Sequence, residues 1–219
     1  MDAELKNSIL NTGTTILSIV CKDGVVMASD RQVTLGHSLV SDKKFSKTNQ
    51  INDYLVISWA GQVSGAQRRS KLIAAELKLK ELKSRIRPNI KQAANLVASI
   101  SYANIRQPSM VPDIVSTMIG GFNEGNPSEI YTIGPDGSII QIKDYFATGS
   151  GMTYVLGLLE RQYKENMTLK EGIELAKEAL KASTQRDVYS GFGIDVFTIT
   201  TDKITKVVDE EIVSEYKSK

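Results

Sequence analysis

The chain has 219 residues, 27 basic against 25 acidic side chains and a formal net charge of +2, a balance that gives no overall pull toward nucleic acid or a membrane. One His (His37) and one Cys (Cys21) exclude a Cys/His zinc centre, a di-histidine metal site and an internal disulfide framework. A Ser-His-Asp triad could run only through His37, so a hydrolase on this chain points to a general base other than histidine.

The leader Met1-Asp2-Ala3-Glu4-Leu5-Lys6 carries acid where a secretory signal needs base, and no apolar run approaches the about 18–20 residues of a membrane span. A soluble, cytoplasmic protein is expected. The first periodic segment is Thr14–Cys21, rich in β-branched residues, followed by Lys22-Asp23-Gly24 and then Val25–Asp30. Two β-prone runs joined through Asp-Gly predict a hairpin. Further strands are predicted at Ser46–Ile51 and Tyr54–Ala60. Leu72, Ala75, Leu79, Leu82 and Ile86 then recur at helical spacing as an apolar stripe, and Pro88 ends that helix. A second stripe, Ala93, Val97, Ile100 and Ala103, runs to about Gln107.

Strands follow at Ile114–Ile119, Glu129–Ile133 and Ser138–Ile142, the last two joined by the turn Gly134-Pro135-Asp136-Gly137. A helix opening near Ser150 carries Met152, Val155 and Leu159. Another opens on Thr168-Leu169-Lys170-Glu171, the pattern of a capping box, with the stripe Leu169, Ile173, Ala176 and Leu180. Strands at Ile194–Thr200 and Ile204–Val208 precede a charged tail, Asp209–Lys219. Strands, helix pair, strands, helix pair, strands: this order predicts one α+β domain of two sheets with helices stacked outside them. The basic stretch Arg68, Arg69, Lys71, Lys78, Lys80, Lys83, Arg85 and Arg87 shares a helix with an apolar stripe and lacks interleaved aromatics, so it reads as a solvated or subunit-contacting face. Cys21 reads as a buried, inert thiol, and His37 receives no role.

Without histidine, a nucleophile can still be activated by an amine. A hydroxyl residue at a chain N-terminus supplies one, because an α-amino group titrates at about 7.7–8.0, near working pH. Met1 begins the encoded chain, so such a design requires cleavage before an internal Thr or Ser. Gly13-Thr14 is one place for it, although Gly-Thr-Thr before an apolar run is also how an ordinary strand starts after a turn.

The ordered segments Gly13-Thr14-Thr15, Asp23–Arg31, Lys47, Ala60-Gly61, Thr148–Gly151 and Gln185-Arg186-Asp187-x-x-Ser190-Gly191 resemble a proteasome β subunit of the archaeal type. The resemblance spans Gly13 to about Val208. It implies the four-layer αββα sandwich of N-terminal-nucleophile hydrolases and a propeptide, residues 1–13, removed autocatalytically from a protease domain of residues 14–219. By the same resemblance Thr14 is the nucleophile, Lys47 and Asp30 form the paired cation and carboxylate, and Ser150, Asp187 and Ser190 support them. Gly61 supplies the oxyanion donor, Thr34 pairs with the extended substrate, and Gly13 with Thr14 forms the processing bond. Lys47 is chosen over Lys43 and Lys44 because Lys-x-x-x-Ile precedes the next strand. Trp59 matches a position lining the pocket for the substrate residue before the cut bond, or else is a core anchor on its strand. Ile16 and Ser18 stand where many catalytic members have Thr and Gly.

The function implied is a threonine endopeptidase acting on unfolded polypeptide, without metal or other cofactor. Its implied partners are proteasome α subunits, other β subunits, with room for a second β paralogue in the ring, and a regulatory ATPase. A structural β subunit that shapes the ring without cutting is the alternative, as is the related bacterial two-ring protease. Length and Gln185–Gly191 favour the proteasome.

Overall fold

The computed structural model describes residues 13–35 and 39–212. His37 and the bulk of the expected propeptide lie outside the described residues. Hairpin β1 (Thr15–Cys21) and β2 (Gly24–Asp30) forms as the Asp-Gly signal predicts, with Cys21 opposite Gly24. It is the centre of an antiparallel sheet of order β10-β1-β2-β11-β12, completed by β10 (Tyr145–Gly149), β11 (Gly193–Ile199) and β12 (Ile204–Glu211). The second sheet has the order β5-β6-β7-β8-β9: β5 (Thr48–Asn52), β6 (Leu55–Gly61), β7 (Val115–Phe122), β8 (Ser128–Ile133) and β9 (Ile139–Gln141). A two-stranded ribbon, β3 (Val33–Leu35) with β4 (Leu39–Asp42), joins the sheets.

Both sheets are covered on both faces, so their strands are apolar on alternate residues in two directions. Ile16, Val25, Met27, Phe197 and Ile199 point inward and pack against the second sheet. Leu17, Ile19, Val26, Ala28, Ile194 and Val196 point outward and pack under α3 (Met152–Gln162) and α4 (Leu169–Arg186). Helices α1 (Val63–Ser84) and α2 (Ile90–Ile105) cover the outer face of the second sheet through β6, β7 and β8. The layers run helix, sheet, sheet, helix: the αββα sandwich. The Thr168–Glu171 capping box opens α4, with both reciprocal bonds made. A second box, Asn89 with Gln92, opens α2. Cys21 is buried and its thiol is pushed up to about 12, chiefly by burial, as an inert thiol should be.

Three readings of the sequence change. The stripe Leu72, Ala75, Leu79, Leu82, Ile86 is not the buried face of α1: Leu79 and Leu82 are 43% and 65% exposed, and Ile86 lies beyond the end of the helix at Ser84. Ile73 and Leu77, one residue out of phase, enter the core beside Gly65, Ala66 and Arg69. Apolar residues lie all round this helix, so periodicity alone could select the wrong set. Arg69 leaves the basic solvated face: it is 1% exposed, and its guanidinium bonds Asp113, Ser101 and the Val115 carbonyl. Strands β3, β4 and β10 were not foreseen, because short strands take their conformation from their partners. β10 exists by pairing with β1, Thr15 opposite Gly149.

The phase of α1 is testable on the unassembled chain. Ile73→Ala should cost about 2–5 kcal/mol by denaturant unfolding, whereas Leu82→Ala should cost about 0.5 kcal/mol or less.

Candidate active site

The first residues of β1, the end of β2, the lead into β5 and the turns after β10 and α4 meet at one edge of the sandwich. Asp30, the last residue of β2, is fully buried. Its Oδ1 accepts from the Thr15 amide at 2.8 Å and from Lys47 Nζ at 2.7 Å. Its Oδ2 accepts from the Gln32 amide at 3.0 Å and the Gly191 amide at 3.1 Å. Lys47, 4% exposed, reaches the carboxylate from the second sheet. Burial pushes the Lys47 ammonium below the ordinary lysine value, and Asp30 opposes that shift. Burial likewise raises the Asp30 carboxyl, against the pull of Lys47 and of the Thr15 and Gly191 amides. Of the three neighbouring lysines, Lys47 is the one in the site. Lys44 instead pairs with Glu211 and Lys43 lies over the Phe192 ring.

Lys47 Nζ also donates to the Gly13 carbonyl oxygen at 3.2 Å, and Thr14 Oγ1 donates to the same oxygen at 2.5 Å. Gly13 is required here by space: a Cβ on it would stand 1.6 Å from Tyr189 Cβ. The Thr14 nitrogen donates to Ser150 Oγ at 3.1 Å. Ser150 Oγ in turn donates to Asp187 Oδ2 at 2.6 Å, and Ser190 Oγ to the same oxygen at 2.7 Å. A hydroxyl, a cation and a proton-accepting hydroxyl–carboxylate chain therefore surround one peptide bond. Such a set can activate an oxygen nucleophile and stabilise charge on a carbonyl oxygen.

Thr14, Asp30, Lys47, Ser150, Asp187 and Ser190 thus come together. Gly61, Thr34 and Trp59 line a small cavity beside Thr14, with Gln32, Val33, Phe45, Val63 and Ala66. Gly61 has φ +132°, and a Cβ there would lie 2.2 Å from the Ile114 carbonyl. Trp59 is 5% exposed and belongs both to the wall of this cavity and to the core. The cavity is about 20 Å³, room for about one water. Ile16 is buried between the sheets, and the buried Ser18 hydroxyl has no partner among the described residues.

Two members of the site were missed. Thr15 Oγ1 lies 2.5 Å from Ser183 Oγ and 2.7 Å from Ser190 Oγ, both contacts buried. Ser183 is one helical turn before Asp187, whose amide donates to the Ser183 carbonyl. The spacing from Ser183 to Asp187 was the available signal, but Thr15 and Ser183 are 168 positions apart.

The family profile described as "Proteasome subunit" matches residues 10–199. The chain is 40% identical over 194 residues to a "Proteasome subunit beta" of Nanoarchaeum equitans, covering 89% of this chain and 96% of that one. It is 38% identical to a "Proteasome subunit beta" of Methanobrevibacter smithii, covering 94% and 96% of the two chains, and 36% identical to that of Methanopyrus kandleri, covering 95% and 97%. The chain belongs to the proteasome subunit family. Within it, the chain is of the β type.

Two hydroxyls at the start of β1 separate satisfied from unsatisfied polarity. Thr15→Val should destabilise the unassembled chain by about 1–3 kcal/mol, because Ser183 and Ser190 lose a shared partner. Ser18→Ala should cost nothing or stabilise. Denaturant unfolding of the two variants checks the contrast.

Proposed function

We propose that this chain is a threonine endopeptidase subunit of a barrel-shaped proteasome core particle, with Thr14 as nucleophile. The observation that carries this reading is the convergence of Thr14 Oγ1 and Lys47 Nζ on the Gly13 carbonyl oxygen. In the first step Thr14 Oγ1 attacks the Gly13 carbonyl carbon, and charge develops on the oxygen that Lys47 Nζ faces. Collapse breaks the Gly13–Thr14 C–N bond, and the proton given up by the Thr14 hydroxyl as its C–O bond forms ends on the departing nitrogen, so that an ester and a free amine replace the amide and the hydroxyl. Water then hydrolyses the ester, releasing residues 1–13 and leaving Thr14 with a free α-amine at the head of a protease domain of residues 14–219.

That amine becomes the base the histidine count demanded. It lies beside Ser150 Oγ, which Asp187 orients. It accepts the Thr14 hydroxyl proton as Oγ1 attacks a substrate carbonyl, the Gly61 amide serves the oxyanion, and the proton passes to the departing peptide nitrogen. Water clears the ester and restores Thr14. Lys47, held by Asp30, lowers the proton affinity of the neighbouring amine by like-charge repulsion. The extended substrate runs along Thr34 as an added strand.

The family reading supplies the setting: α subunits and other β subunits in stacked rings, a regulatory ATPase that feeds unfolded polypeptide, and a cytoplasmic location. Among the described residues no helix is long and apolar enough to cross a membrane. Trp59 and the about 20 Å³ cavity favour a second form of the same reading, a subunit that cuts slowly and only after small residues, at its limit a structural one.

In the assembled particle, intact mass should show wild-type chains beginning at Thr14 and Thr14→Ala chains retaining residues 1–13, with peptide cleavage by Thr14→Ala reduced at least about 10³-fold. Wild-type chains that keep residues 1–13 support the structural form instead. The cleavage rate should fall with pH once the amine base protonates, at a pH below the about 7.7–8.0 of an ordinary α-amine, because the Lys47 charge lowers its proton affinity. Trp59→Ala should raise kcat/KM for peptides with a large residue before the cut bond, about tenfold or more. Unchanged preference in fluorogenic peptide assays would count against the pocket.

A further inference from the structure

The Asp30–Lys47 pair links the end of β2 to the lead of β5, and a hydrogen bond from Ser46 to an ionic cluster on the first sheet links the same two segments. Asp195 on β11 is fully buried. Its Oδ1 accepts from Arg31 Nε at 3.1 Å and Nη2 at 2.5 Å, and from Lys206 Nζ at 2.8 Å. Its Oδ2 accepts from Ser46 Oγ at 2.9 Å. Arg31 also pairs with Asp209 at the surface, and Lys206 pairs with the same carboxylate at 2.8 Å. Arg31 immediately follows Asp30, and Ser46 immediately precedes Lys47. One carboxylate therefore grips the neighbour of each member of the pair. The Ser46 hydroxyl also lies 2.8 Å from the Thr48 carbonyl, but the carboxylate is the stronger acceptor for its single proton.

We propose that Asp195 is a positioning residue for the Asp30–Lys47 pair: by tying Arg31 in the first sheet to Ser46 in the lead of the second, it fixes the separation of the two backbone segments that carry the pair. The proposal rests on the proteolytic reading above. Lys47 has a long, flexible stem, and its Nζ must meet both Asp30 and the Gly13 carbonyl oxygen. Tethering the backbone on each side removes the freedom the stem would otherwise lose only at the moment of reaction. A displacement of about 1 Å at such a site can cost about 10²-fold in rate. Ser46 touches none of Thr14, Asp30, Ser150 or Asp187 by any hydrogen bond in the structure, so its influence is indirect.

The test uses the assembled particle and a fluorogenic peptide. Ser46→Ala should lower kcat about 3- to 10-fold with KM within about twofold of wild type, and Ser46→Thr, which keeps the hydroxyl, should recover most of that loss. Asp195→Asn should lower kcat at least as much as Ser46→Ala. Should Asp195→Asn not assemble, the two Ser46 variants decide. Wild-type kcat in Ser46→Ala, equal losses in the Ala and Thr variants, or a change confined to KM each overturn the proposal. Thr14→Ala is assayed alongside. Full activity in Ser46→Ala with none in Thr14→Ala condemns the tether alone, whereas activity persisting in Thr14→Ala condemns the nucleophile and the tether with it.

Discussion

The buried carboxylate of Asp30 is the interaction on which this architecture turns. A charge taken fully out of water is tolerable only when every lone pair is occupied. Here the occupants come from four separate stretches of chain: the Thr15 amide in β1, the Gln32 amide just after β2, the Gly191 amide beyond α4, and Lys47 Nζ ahead of β5. One side chain thereby specifies where the start of the first strand, the lead of the second sheet and the exit from the last helix must lie. Removing either charged partner leaves the other buried and unpaired, which is why the pair acts as a register for the site.

The sandwich explains why such a site forms at the edge of the fold. The interior between the sheets is filled by Ile16, Met27, Phe197 and Ile199 from one side and by β6–β8 from the other, and it has no room for charge. Neutral hydroxyls such as those of Ser18 and Thr117 are buried along the strands, but the buried Asp30, Lys47 and Asp195 gather near the end of β2, the start of β11 and the lead of β5. There they form two parallel links between the sheets, Asp30–Lys47 and Asp195 with Arg31 and Ser46.

What could be read in the sequence was local. The Asp23-Gly24 turn and the Thr168–Glu171 box each carry their meaning within a few residues, and each forms as read. The helix phase of α1 was not legible, because Leu72, Leu79 and Leu82 compete with Ile73 and Leu77 for one face and only the sheet beneath decides between them. Arg69, charged and surrounded by basic neighbours, gave no sign that Asp113 waited for it. The contacts that complete the site, Thr15 to Ser183 and Ser46 to Asp195, join residues 168 and 149 positions apart and have no local signature at all. The resemblance to a family supplied the principal residues but not these supports.

In the proposed mechanism, Asp30 holds Lys47 and the head of β1 so that Thr14 becomes a nucleophile with its own amine as base. The most direct measurement is labelling of the assembled particle with an electrophilic peptide, followed by intact and peptide mass analysis of wild type and Asp30→Asn. Wild-type chains should carry one adduct each, on a Thr14 that begins the chain, and Asp30→Asn chains that still carry Gly13 should carry none. An adduct on another residue, or equal labelling of Thr14 in Asp30→Asn, would contradict it.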